Sequence, residues 1–293
     1  MPDMGEVITA MVTPFDKNYN VDFESCSKLM DYLVNQGTDG ILLAGSTGEC
    51  STLSDEEKLE LFRFAKNNFG DKVKIIAGTG SNDTKHSIEL SKEAEKIGVD
   101  CLLVVTPYYN KPSQQGIYRH FEAIASKVNI PIIIYNVPSR TVSNISSKTC
   151  VELSKIDNIC GIKEASGDMR QISEIIRDSK TGFIVYSGND GDTLPVLSLG
   201  GYGVISVASH LICGEIKQMI SSFKNGDYAH AAKIHLEMLD IFYGIFIAPN
   251  PVPIKEALNM AGINVGPCRL PLCGMEEKEL DIFKEILKKH KIV

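Results

Sequence analysis

The chain has 293 residues, a formal net charge of −7, 43% apolar residues and no tryptophan. That length suits one large core, or a barrel with a small appendage, and the composition is that of a soluble globular protein. No apolar run reaches the roughly 18 residues of a membrane span, the start Met1-Pro-Asp-Met-Gly-Glu6 has no basic and apolar leader, and the mild acidity argues against nucleic acid as a partner, so a cytoplasmic protein is expected.

Val7–Val12 is an apolar run closed by Thr13-Pro14 and reads as a first strand. Asp22 caps a helix through Asn35 with Leu29, Met30, Leu33 and Val34 on its apolar face. Gly40–Ala44 is a second strand ending in Gly45-Ser-Thr-Gly-Glu49, and Ser54-Asp-Glu-Glu57 is a capping box for the next helix. The alternation continues with strands at Val73–Ala77, Cys101–Val105, Pro131–Tyr135, Cys160–Lys163, Phe183–Tyr186 and Gly203–Val207. Between them, Asp83–Ile97, Ser113–Ser126, Ser146–Lys155, Asp168–Asp178 and Asp190–Leu199 read as helices. Eight strands alternating with helices over about 220 residues predict an α/β fold, a (β/α)8 TIM barrel, in preference to a doubly wound sheet. After Ser209 only helices follow, at Ile216–Phe223, Tyr228–Phe246, Val252–Ala261 and Glu276–Lys289. The expected division is a catalytic barrel over 1–225 and a small helical C-terminal region over 226–293.

The eight cysteines form no C-x-x-C pair, and several lie in apolar runs, so reduced, buried thiols are expected; Cys50 stands apart because it adjoins the Gly45–Glu49 motif. The six histidines include no H-x-H and no H-E-x-x-H, which predicts no metal. Gly78-Thr-Gly80 resembles the start of a dinucleotide loop, but the third glycine is missing, so a dinucleotide site is not expected.

The run Asn158-Ile-Cys-Gly-Ile-Lys163 sets a lysine at the end of a strand buried on both faces. A desolvated lysine loses its proton more easily, and its free amine attacks ketones and aldehydes. The run by itself equally describes a lysine that ends a strand and reaches for water. Barrel active sites gather at the C-terminal ends of the strands. The polar residues there are Ser46, Thr47 and Glu49 after strand two, Tyr108 and Tyr109 after strand four, Tyr135 and Arg140 at strand five, Lys163 and Glu164 at strand six, and Ser187 and Asn189 after strand seven. They include an amine nucleophile, hydroxyl proton carriers and an arginine suited to grip a carboxylate. Glu164 reads as a structural partner at its strand end.

Gly45-Ser-Thr-Gly-Glu49, Thr106-Pro-Tyr-Tyr-Asn110, Tyr135-Asn-Val-Pro-Ser-Arg140 and Gly161-Ile-Lys-Glu-Ala165 together resemble the dihydrodipicolinate synthase family, within the pyruvate-dependent class I aldolases. Gly203-Val-Ile-Ser206 and Asn250-Pro-Val-Pro-Ile-Lys255 are similar to that family too, and the blocks occur in its order over nearly the whole chain. The resemblance implies condensation of pyruvate with L-aspartate 4-semialdehyde to 4-hydroxy-tetrahydrodipicolinate, a step of lysine and diaminopimelate biosynthesis, with no cofactor. It implies that Lys163 forms the Schiff base and that Tyr135, Ser46 and Tyr109 relay protons, Tyr109 from a partner subunit. Ser46 stands where the family usually has threonine, which keeps the hydroxyl. By the same resemblance Thr47 binds the pyruvate carboxylate, Arg140 receives the aldehyde's carboxylate, Ile205 lines the pocket through its backbone, and the assembly is a homotetramer built as a dimer of dimers. The rival reading is another pyruvate-dependent aldolase, an N-acetylneuraminate lyase or a 2-keto-3-deoxy sugar acid aldolase. Arg140 and the Tyr108-Tyr109 pair are the discriminators against it.

Many bacterial members are inhibited by lysine at an interface site. Here Asp55 and Lys58 stand at the positions of two histidines and His86 at that of a glutamate, although Asn82 and Tyr108 match. A cationic Lys58 and a protonatable His86 repel a ligand with two amines, so weak lysine feedback is expected.

Overall fold

A computed structural model describes residues 4–293. The leader reading of Met1–Glu6 falls partly on residues 1–3, which lie outside the described residues. Eight parallel strands close into a barrel in sequence order: β1 Val7–Ala10, β2 Gly40–Leu43, β3 Lys74–Gly78, β4 Cys101–Val105, β5 Ile132–Asn136, β6 Ile159–Glu164, β7 Ile184–Ser187 and β8 Gly203–Ser206. β8 closes on β1, with Ile205 beside Ile8. The predicted (β/α)8 TIM barrel is the observed fold, and most strand limits move by one or two residues.

The helices are α1 Phe23–Asn35, α2 Asp55–Phe69, α3 Thr84–Ile97, α4 Gln114–Ala125, α5 Pro138–Thr141, α6 Ser147–Ser154, α7 Met169–Asp178, α8 Thr193–Ser198, α9 Ser209–Lys224, α10 Tyr228–Gly244, α11 Val252–Met260 and α12 Glu277–Lys289. Side-chain caps fix most of the barrel starts. Asp22 accepts from Ser25 N, Ser54 and Glu57 form the expected capping box, and Asp168 accepts from Arg170 N and Gln171 N.

Three segments differ from expectation. Asp190–Leu199 is split: a 3₁₀ turn over Asp190–Asp192 precedes α8, because the Asp190 side chain turns inward instead of capping. α9 starts seven residues before Ile216, with a kink at Ile212 that interrupts the helical periodicity. α5, a single turn carrying Arg140, is too short for any periodic signal. Of the cysteines, Cys26, Cys101, Cys150, Cys160 and Cys213 are buried as expected, but Cys273 is exposed and Cys50 and Cys268 are half-buried; all are free thiols.

Two apolar clusters divide the core. The larger lies between strands and helices, while Ile8, Leu42, Ile76, Leu103, Ile133, Tyr135, Tyr186 and Ile205 fill the barrel interior. The Gly78-Thr-Gly80 motif serves close packing: a Cβ at Gly78 would lie 2.3 Å from Ala44 O, and one at Gly80 2.3 Å from Val105 N. Among the described residues no helix is long and apolar enough to cross a membrane.

Candidate active site

Residues paired in register on adjacent parallel strands share a face. Lys163 of β6 pairs with Tyr135 of β5 and with Tyr186 of β7, so all three point into the barrel. The Lys163 ammonium stands 4.5 Å over the Tyr135 ring centroid, and only 5% of Lys163 is exposed. Burial pulls its pKa down to about 8; Asp190 opposes the shift and Arg140 adds to it. Burial pushes the Tyr135 phenol up to about 12, against Arg140 and a hydrogen bond with the Ser46 side chain. At neutral pH the phenol therefore keeps its proton, beside an amine that gives its own up readily.

These groups border a cavity of about 290 Å³ at the C-terminal ends of the strands. Ser46, Thr47, Tyr135, Arg140 and Lys163 all line it, and Phe242, Tyr243 and Phe246 close one side from α10 and the turn after it. Arg140, Ser46, Val137 and Asn250 also border a neighbouring cavity of about 340 Å³, which reaches Glu49, Cys50 and Tyr108. Arg140 is solvent-exposed at the junction of the two.

The side chain of Ile205, whose expected part in the site was through its backbone, is buried in the barrel interior; Val207, just past β8, lines the cavity. Tyr109 is 87% exposed, holds φ at +73°, and borders neither cavity within this chain. Tyr108 borders the neighbouring one.

Glu164 is held by Asn136 Nδ2 at 3.0 Å, Gln171 Nε2 at 3.1 Å and Ser166 N at 2.8 Å, a structural set that ties β6 to β5 and α7. Burial raises its carboxyl. Sequence reasoning missed Asp190. Its carboxylate accepts from Val207 N at 3.1 Å, Ala208 N at 3.2 Å and the Ser206 hydroxyl, and it is the acidic neighbour of Lys163. An acid at an expected helix start reads as a cap, so nothing local set it apart. Asn250 was also missed: it lines the cavity and donates to Thr47 Oγ1 at 3.0 Å. Its signal was the Asn250–Lys255 block, present without an assigned role. Among the described residues no group of three or more His, Cys, Asp or Glu side chains is placed to hold a metal ion.

A buried amine of lowered pKa, beside a protonated phenol and a hydroxyl, in a cavity with an arginine at its edge, can form and process an imine of a small keto acid. The family model described as the dihydrodipicolinate synthetase family matches residues 3–290. The 4-hydroxy-tetrahydrodipicolinate synthase of Bacillus velezensis is 52% identical over 277 residues, 94% of this chain and 96% of that protein. A crystal structure of a dihydrodipicolinate synthase from Bacillus anthracis superposes with a TM-score of 0.96 at 46% identity, covering 98% of this chain and 99% of that one. The enzyme from Cyanidioschyzon merolae, solved with lysine bound, gives a TM-score of 0.97 at 43% identity over 99% of both chains. The chain belongs to the dihydrodipicolinate synthetase family.

Proposed function

We propose that the protein condenses pyruvate with L-aspartate 4-semialdehyde to 4-hydroxy-tetrahydrodipicolinate through a Schiff base on Lys163. The observation that carries this is the buried Lys163 amine, 4.5 Å from the Tyr135 ring in the cavity that Thr47 and Arg140 also line. The neutral amine adds to the pyruvate ketone, and water leaves with the oxygen to give an iminium. The cationic nitrogen draws electrons, so a methyl proton departs and an enamine remains. The enamine carbon attacks the aldehyde carbon, and the aldehyde oxygen takes a proton. The amine of the second substrate then adds to the iminium carbon and expels Lys163, closing the ring.

Tyr135 suits the proton transfers because its phenol is protonated at neutral pH and linked to Ser46. Thr47 holds the pyruvate carboxylate as a hydroxyl donor, and Arg140 the aldehyde's carboxylate as a fixed cation. Tyr109, whose side chain is free in solvent here, serves the relay from a partner subunit, and the working assembly is a dimer of dimers. Condensation of pyruvate with aspartate semialdehyde, measured beside cleavage of N-acetylneuraminate, tests the substrate assignment. Turnover of the first and not the second is expected; the reverse would assign the protein to the sugar-acid lyases.

A further inference from the structure

The first and last sequence motifs meet in space. Asn250 Nδ2 donates to Thr47 Oγ1 at 3.0 Å across 203 residues of chain. Two positions on, Glu49 Oε1 lies 2.6 Å from Lys255 Nζ, with side chains 1% and 2% exposed. Glu49 Oε2 also accepts from Arg269 N at 2.8 Å, and Lys255 Nζ donates to Pro267 O at 2.9 Å and lies 4.2 Å from the Phe15 ring centroid. The loop Gly45–Glu49 is thus gripped at two points by the residues around α11, and Thr13 Oγ1 adds a bond to Gly48 O at 2.7 Å.

The contact at Thr47 has a directional consequence. A hydroxyl carries one hydrogen and two lone pairs. With a lone pair of Oγ1 taken by the Asn250 amide, the Thr47 hydrogen is left to donate, and it has no acceptor among the described residues. Thr47 is 3% exposed and lines the cavity that holds Lys163. A buried donor without an acceptor is costly, and an anionic oxygen in the cavity satisfies it with a strong, charge-assisted bond. Asn250 is itself 6% exposed and borders the same cavity, so its amide cannot turn to water instead.

We propose that Asn250 is a positioning residue for the carboxylate of the keto acid: its amide holds the Thr47 hydroxyl as a donor, so the cavity selects α-keto acids over simple ketones. The inference rests on the imine reading of Lys163. The selectivity then belongs to a pair joined across the barrel and the C-terminal helices, and the Glu49–Lys255 ion pair keeps that junction rigid.

Borohydride trapping of the full-length protein with pyruvate, and separately with hydroxyacetone, tests it. In Asn250→Ala the pyruvate concentration for half-maximal trapping should rise roughly tenfold, the loss of one oriented bond to a charged group, while that for hydroxyacetone stays unchanged. Thr47→Val should show the same ketone-selective loss, and adding Asn250→Ala to it should cost little more. Asn250→Asp keeps the shape and accepts the Thr47 hydrogen instead of donating, so it should lose pyruvate at least as severely even if the alanine variant fails to fold. Equal losses for both ketones, or additive losses with Thr47→Val, would overturn the role of Asn250 alone. Absence of a trapped adduct in the parent protein would overturn the imine reading itself, and this inference with it.

Discussion

Replacing Lys163 by methionine should make the protein inactive and more stable. The buried amine keeps a proton only at a cost: its pKa falls from 10.5 to about 8, chiefly through burial. A gap of about 2.5 at about 1.4 kcal/mol per pH unit is worth about 3 kcal/mol. The sign follows from proton binding. Between about pH 8 and 10.5 the unfolded chain holds more protons on this residue than the folded one, so parental stability rises with pH there. Below pH 8 the full cost is present, and above 10.5 it is gone. Lys163→Met therefore gains up to about 3 kcal/mol at pH 7, less whatever Asp190 loses with its cationic neighbour, and that gain fades as pH approaches 10.5. Urea denaturation of both proteins at one protein concentration, at pH 7 and pH 10, reads the difference from the midpoints. A stability difference that does not change between the two pH values would refute the claim that the Lys163 charge is desolvated. The same shift has a kinetic face. At pH 7 roughly one Lys163 in ten is a free amine, against roughly one in three thousand for an ordinary lysine.

Other outcomes follow from the same geometry. Lys255→Met strands the Glu49 carboxylate and should cost about 3–5 kcal/mol, whereas Lys255→Met with Glu49→Gln should cost clearly less; additive losses in thermal or urea unfolding would deny the buried pair. Lysine at millimolar concentration should leave turnover nearly unchanged. Asp55 already lies 2.7 Å from His86 Nε2 and 3.2 Å from Lys58 Nζ, so its one carboxylate is engaged before a ligand amine arrives, and a steep inhibition curve would contradict this. Tyr109→Phe should cut turnover by about tenfold or more while leaving the isolated chain's fold intact, since its side chain makes no packing contact that burial would reveal; unchanged activity would remove it from the relay.

The barrel was legible because each strand is buried on both faces and reads as a continuous apolar run, while most of the barrel helices carry their own cap and stripe. Placing polar residues at strand ends then brought Lys163, Tyr135, Ser46, Thr47 and Arg140 together, and all five line one cavity. What escaped has a common cause. Asp190 looks like a helix cap until the fold turns it toward Ser206 and the Val207 and Ala208 amides. Asn250 and Lys255 act on Thr47 and Glu49 from some 200 residues away, and no local period encodes such a contact. Ile205 was expected to face the pocket through its backbone only, and the alternation of strand side chains turns its side chain into the barrel core. Tyr109 sits in a positive-φ turn and is 87% exposed, so the role expected of it depends on a partner subunit.

The bond proposed between Lys163 and pyruvate can be trapped chemically. Incubation with pyruvate and borohydride, followed by digestion and mass mapping of the peptides, addresses it directly. One reduced adduct is expected, on the peptide carrying Lys163, forming about tenfold faster per pH unit up to about pH 8 and levelling above it. An adduct on any other lysine, no adduct at all, or a rate still climbing at the same slope to pH 10 would contradict it.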